Sequence, residues 1–329
     1  MNRSKIEYVD HTWNPITGCL HDCEYCYAKA IAKRFSGDIR LNLKSEHYEK
    51  QGELFILKDK FITEEGNSLA FPFGFAPTFH HNRLNYLEQL KSGFNVFVGA
   101  MADIFGWWMP DEYISKVFDE CLKVGRHNYI FLTKNPARYS ELYDQGILPL
   151  MTNFWYGSTV TRKSDPIAKL PGGNSFICIE PILEKPRFLG NDIKICDWII
   201  VGAETGNRKG RVIPTIEWIN KITDYADRVG IPVFMKDSLI EIMGSENMRQ
   251  EFPEKLKHKE RSKKVRERLE GDCAKCKVHM YKNEMIAIAA RSKRGEMPKQ
   301  LCHMCPNCFR DFCDSLEIRI PDLVMFKSE

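Results

Sequence analysis

Cys19, Cys23 and Cys26 place three thiols within eight residues, in the run Gly18-Cys-Leu-His-Asp-Cys-Glu-Tyr-Cys-Tyr27. Thiolates this close converge only if the backbone wraps around a compact soft-metal centre. An iron–sulfur cubane normally takes four protein ligands. One held by three leaves an iron open, and an open metal position is where cofactor or substrate chemistry takes place. Zinc is the alternative. It needs a fourth donor, for which His21 is the candidate, but so short a loop closes poorly around one ion. The spacing points to a 4Fe–4S cluster. A helix from about Tyr27 to Arg34 would aim its first amides at that anionic centre.

A second group lies near the C-terminus. Cys273-x2-Cys276 and Cys305-x2-Cys308 flank 28 residues, and two such knuckles bring four thiolates into tetrahedral reach, the pattern of a structural zinc site. A second iron–sulfur cluster is the alternative. Cys302 makes the same spacing with Cys305 and is an alternate ligand, and Cys313 is read as buried. Pro306 suits the first turn of a helix carrying Cys308, which gives a treble-clef or ribbon-like module. Cys121, Cys178 and Cys196 stand alone among apolar residues and read as core packing.

These groups must be held by a framework, and residues 95–236 repeat one theme. Short β-rich runs at Asn95–Gly99, Tyr129–Leu132, Asn153–Ser158, Ser175–Ile179, Asp197–Gly202 and Ile231–Phe234 alternate with helical patterns. The helical patterns include Asp111–Val124, Asn135–Gln145 and Thr215–Val229. With a further strand near the N-terminus, the pattern predicts an α/β fold of parallel β/α units, a partial or complete TIM-like barrel. A doubly wound sheet has the same signature. The expected domains are a barrel over 1–252 with an insertion at about 42–94, a charged linker helix at 253–271, and a cysteine-rich zinc module at 272–329.

Function in β/α barrels gathers at the C-terminal strand ends. Asp103, Ser158, Thr161, Glu180, Glu204, Lys236 and Asp237 all fall at or just past such ends. Lys236 and Asp237, last in the row, are the candidates for catalysis. Two further features invite a ligand. His80 and His81 stand before Asn82 and Arg83, where a surface or capping role competes with phosphate or metal binding. Trp107 and Trp108 could stack on a base or simply pack.

The cysteine spacing, with Tyr25 before the last cysteine, resembles the signature of the radical S-adenosylmethionine (SAM) superfamily. The loop GCLHDCEYCY is similar to that of spore photoproduct lyase. The wider sequence resembles a poorly characterised, phage-associated, radical-SAM-like family. The resemblance rests on Ile6–Gly18, Pro77–Arg83, Val96–Phe105, Phe131–Pro136, Ile179–Ile182 and Trp198–Gly206, and covers roughly residues 5–240. Many members space the first two cysteines more widely. The resemblance implies a 4Fe–4S cluster that binds SAM, reductive cleavage to a 5′-deoxyadenosyl radical, and a reductant such as flavodoxin or ferredoxin. It also implies SAM contacts, for which Tyr25, Asp103, Ser158, Thr161, Glu180 and Glu204 are the candidates. Gly99-Ala-Met-Ala-Asp103 occupies the place of the family's glycine-rich acidic motif without matching it.

Composition narrows the setting. The N-terminal run MNRSKIEYVDHTW lacks the apolar core of a secretory signal, and no stretch approaches the roughly 18 apolar residues of a membrane span. The expected location is the cytoplasm, with no membrane partner, where clustered cysteines bind metal more often than they pair. Net charge is +4, yet residues 254–300 hold 15 Lys and Arg against 7 Asp and Glu, so the rest sums to −4. That basic region suggests DNA or RNA as partner and substrate, although a solvated charged helix would look the same. The other readings are a radical SAM enzyme acting on a protein or peptide, and a non-catalytic, metal-stabilised nucleic-acid-binding protein.

Overall fold

A computed structural model of the chain describes residues 3–168, 170–186 and 193–256. In the C-terminal region it describes the backbone of four strands, 270–272, 279–281, 286–290 and 299–304. The chain divides into two units, Met1–Lys259 and Glu260–Glu329. In the second unit the four strands form two antiparallel pairs. Cys302 lies in the last strand, opposite Ile288. Cys273, Cys276, Cys305, Cys308 and Cys313 lie outside the described residues, as does most of the expected linker helix. Among the described residues, no helix is long and apolar enough to cross a membrane.

Seven parallel strands carry the first unit: β1 His11–Trp13, β2 Asn95–Val98, β3 Asn128–Thr133, β4 Phe154–Thr159, β5 Asn174–Ile179, β6 Trp198–Val201 and β7 Val233–Met235. Their spatial order is their chain order. A doubly wound sheet reverses direction at a switch point; this sheet has none, so the barrel reading holds over its rival. The sheet is strongly curled, as one side chain proves. Tyr8 lies with its ring 6.4 Å from Phe97 on β2 and 5.8 Å from Phe234 on β7. Five strand spacings would set those strands about 24 Å apart in a flat sheet.

Alternation along the strands sorts the core into two faces. The inner face carries Phe97, Ile130, Trp155, Phe176, Cys178, Trp198, Ile200 and Phe234 around Tyr8. The outer face packs Val96, Phe131, Tyr156, Ile199 and Val233 beneath the helices. These helices are α1 Tyr27–Arg34, α2 Asp111–Lys123, α3 Ala137–Asp144 and α4 Ile216–Val229. On α2 the buried stripe Tyr113, Ile114, Val117, Phe118 and Cys121 has the helical period. Thr215 caps the start of α4 by accepting from Trp218 N, and Gly230 ends it in the left-handed region.

The insertion is more ordered than its Pro- and Gly-interrupted sequence suggests. Strands 49–51, 54–57 and 78–80 join Ile16–Thr17 in a four-stranded sheet. Phe55 stacks on Phe73 at 4.2 Å, and with Leu57 and Phe61 they form a small core. Residues 81–89 form a 3-10 helix.

Gly18 joins this small sheet to the cysteine loop. Its φ is +86°, and a Cβ there would stand 2.1 Å from the Ala76 carbonyl oxygen. Both the backbone angle and the space require glycine. Gly18→Ala should therefore lower the unfolding free energy by about 2–4 kcal/mol, measured by urea denaturation. Iron uptake should fall with it, because the next residue is Cys19.

Candidate functional site

The cysteine loop follows β1 and lies at the C-terminal mouth of the curled sheet. Gly18 N donates to Met101 O at 2.8 Å and Cys19 N to Phe75 O at 3.0 Å, which pins the loop's start between β2 and the insertion. At its end, Cys26 Sγ accepts from Lys29 N at 3.4 Å and so caps α1. Asp103 secures the middle. Its carboxylate faces His21 Nε2 at 2.8 Å and accepts from Thr133 Oγ1, Phe105 N and Lys134 N. Trp108 packs edge-on against His21 with ring centroids 5.0 Å apart. Asp103 thus ties loop, β2 and β3 together, and its oxygens are already occupied by protein donors.

The three thiols are partly exposed, in contrast to the buried Cys121, Cys178 and Cys196. They lie near enough to act on one another electrostatically. Burial, reinforced by Asp103 and the other two thiols, pushes Cys19 up to about 12, and burial also raises Cys23. Among the described residues, no three His, Cys, Asp or Glu side chains are drawn together as donors to one ion. Three thiols in one loop are soft donors of the kind that an iron–sulfur cluster takes.

Lys134 stands beside that loop and was not singled out from sequence, where it fell only within the stretch Phe131–Pro136. Its ammonium lies 5.4 Å from the Tyr25 ring centroid. Burial alone would lower its pKa, but Tyr25 and Cys23 beside it hold the value above the ordinary lysine range. Burial raises Tyr25 against the opposing effect of Lys134, and its hydroxyl is bonded to Thr161. Thr161 in turn donates to Asp165 Oδ2 at 2.9 Å.

Glu180, one turn of the pleat beyond Cys178, meets Lys236 in an ion pair on the inner side of the sheet. Glu7 completes the group, with Oε2 3.6 Å from Lys236 Nζ. Burial opposes the charge on Lys236, but the two carboxylates prevail and raise its pKa. Gly202 lies between the partners; a Cβ there would come within 3.2 Å of both side chains. The glycine makes room for the pair. Tyr27 reaches towards the same region and donates to Ala100 O at 2.9 Å.

The other expected site residues divide. Glu204 is clamped by Arg208, through Nε at 2.6 Å and Nη2 at 2.9 Å, which holds its carboxyl below the usual range. The same guanidinium reaches Glu24 of the cysteine loop at 3.2 Å. Asp237 accepts from Gln250 Nε2 at 3.3 Å. Alternation on β4 puts Ser158 on the outer face, where it accepts from Ala168 N at 2.8 Å, on the opposite side of the sheet from Glu180 and Lys236. His80 is buried beside Thr17 Oγ1 at 2.8 Å, and burial holds its pKa well below normal. It fastens the insertion to the strand Ile16–Thr17. Trp107 is exposed whereas Trp108 is buried.

Comparison with known proteins adds little about chemistry. No curated protein matches the chain. Among solved structures, a spore photoproduct lyase mutant with a dinucleoside spore photoproduct is similar over 96% of this chain and 74% of its own, at 10% identity and a TM-score of 0.35. A likeness so distant carries no argument. The model of DUF5131, a family of proteins of unknown function, matches residues 3–274, and with most of its length aligned the chain belongs to that family.

Proposed function

We propose that this protein is a radical SAM enzyme whose cluster is held by Cys19, Cys23 and Cys26. One observation carries the reading: a C-x3-C-x2-C loop seated after β1 at the C-terminal mouth of a partial parallel β/α barrel, facing an interior lined with charge. When bound, the cluster and SAM would supply a 5′-deoxyadenosyl radical that takes a hydrogen atom from substrate. The chain's residues would do the positioning. Lys134 offers a cation beside the loop for the carboxylate of SAM. Tyr25 offers an aromatic edge, and Glu180, Lys236 and Glu7 line the interior where polar groups of cofactor or substrate would lie. The apolar floor around Tyr8, Trp155 and Trp198 excludes water from beneath.

The substrate we propose is nucleic acid, supported by the basic stretch 254–300, with a zinc module at Cys273, Cys276, Cys305 and Cys308. A reacting base would have to be exposed or extruded. The test of the reaction class is anaerobic reconstitution followed by dithionite and SAM. The expected product is 5′-deoxyadenosine, and a chain loaded with about four irons that releases none overturns the reading. Lys134→Met should raise the KM for SAM about tenfold or more, the value of one charge-assisted contact, with iron content unchanged. A KM within twofold of wild type would remove Lys134 from the site.

A further inference from the structure

Helix α1 buries only Ala28 and Ala32 of its eight residues and leaves its larger apolar side chains outside. Ile31 and Phe35, one turn apart, are exposed, Phe35 by 53%. The chain continues with exposed Ile39, Leu41 (59%) and Leu43, and Leu20 is exposed within the cysteine loop itself. Single exposed apolar residues are ordinary on soluble proteins. Six within one stretch that grows out of the metal loop form the kind of surface that a partner covers.

The charge of this stretch is mainly basic. Residues 20–44 hold Lys29, Lys33, Arg34, Arg40 and Lys44 against Asp22, Glu24 and Asp38, and Lys29 is paired with Asp22. Asp38 is occupied in accepting from Arg40 N at 2.9 Å. The stretch sums to +2, whereas the chain outside it and outside residues 254–300 sums to −6. Aliphatic side chains with a basic rim match an acidic protein surface. Nucleic acid would satisfy the cations, but its phosphates and sugars leave Ile31, Ile39, Leu41 and Leu43 nothing apolar to bury against. A second copy of this chain would set the same cations against themselves across a two-fold axis.

We propose that this face docks an acidic one-electron carrier protein that reduces the metal centre. The proposal rests on the radical SAM reading, which requires one external electron for each SAM cleaved. In the docked step the carrier gives up one electron and the oxidised cluster takes it; no bond forms or breaks and no proton moves. A small patch suits the task, because electron-transfer encounters bury under about 1,200 Å² and are steered by charge. Its place suits it too, since Leu20 lies between Cys19 and Cys23 and Cys26 caps α1.

Flavodoxin, titrated by calorimetry into the cluster-loaded chain, is the probe. Binding should weaken at least tenfold between about 50 and 200 mM salt. The double change Lys33→Glu with Arg34→Glu should weaken it at least tenfold at low salt, and Phe35→Ser at least threefold. Cluster bleaching by limiting reduced flavodoxin should slow in parallel. Dithionite, which needs no docking surface, should bleach wild type and variants alike. Binding unchanged in both variants overturns the proposal, and so does a complete lack of binding by flavodoxin and ferredoxin. Failure of the underlying reading has a different mark: no 5′-deoxyadenosine with dithionite, whatever the carrier does.

Discussion

Replacing Cys19, Cys23 and Cys26 together with Ala should take iron from about four per chain to background and abolish 5′-deoxyadenosine formation. Cys121, Cys178 and Cys196 cannot substitute, because each is a lone thiol buried in the core of the first unit. The fold should survive. The loop is anchored by Gly18 N, Cys19 N and the Asp103 carboxylate, none of which the substitutions remove. The one structural loss is the Cys26 cap on α1, worth about 1 kcal/mol. Circular dichroism should therefore match wild type while colour is lost. An unchanged iron content in the triple variant would sink the cluster assignment.

The second large effect is expected at Lys236. Lys236→Met leaves Glu7 and Glu180 facing the same space with no cation between them. Breaking a largely buried ion pair from one side costs about 3–5 kcal/mol. Because Lys236, Glu180 and Glu7 keep 16%, 25% and 19% of their side-chain surface, the lower end, about 3 kcal/mol, is expected. That corresponds to a melting temperature lower by about 6–12 °C. Replacing both Glu7 and Glu180 with Gln in the Lys236→Met background should restore most of the loss. A variant as stable as wild type at neutral pH would show that the trio contributes nothing to the fold.

Much of the barrel was legible in the sequence, because its strands are buried on both faces and read as unbroken apolar runs. Val96–Val98, Tyr129–Leu132 and Trp198–Val201 are found where those runs predict, and Tyr27–Arg34 is a helix over the expected residues. Strand order was not legible, since single and double winding share one local pattern. Side-chain direction was lost for a related reason. Ser158 sits at a strand end as expected, but one residue of register decides which face it serves. Lys134 and Glu7 were missed although both fall inside stretches that carry the family resemblance, because a residue's type does not show what it faces. Their roles come from neighbours 111 and 229 residues away, Cys23 and Lys236. The strands of the insertion did not show in the sequence because they are two to four residues long, too short for a period to appear.

Both outer edges of the curled sheet are already taken. Arg3 bridges His11 on β1, and Gln250 bridges Phe234 on β7, in each case antiparallel. Met235 N donates to Arg249 O at 2.6 Å and Glu251 N to Val233 O at 3.0 Å. Neither edge therefore offers the other a ladder, and the barrel wall has a seam closed by side chains alone. Tyr8 and Val9 fill it at the floor, and Glu7 bridges it near the mouth through Lys236 and the Asp237 amide. A seam without backbone hydrogen bonds can widen while every rung of the sheet stays intact. Its polar clasp, unlike its apolar floor, exchanges readily with water. The wall should give first at the end where the cysteine loop lies, so the interior can adjust its girth to what enters while the base stays rigid.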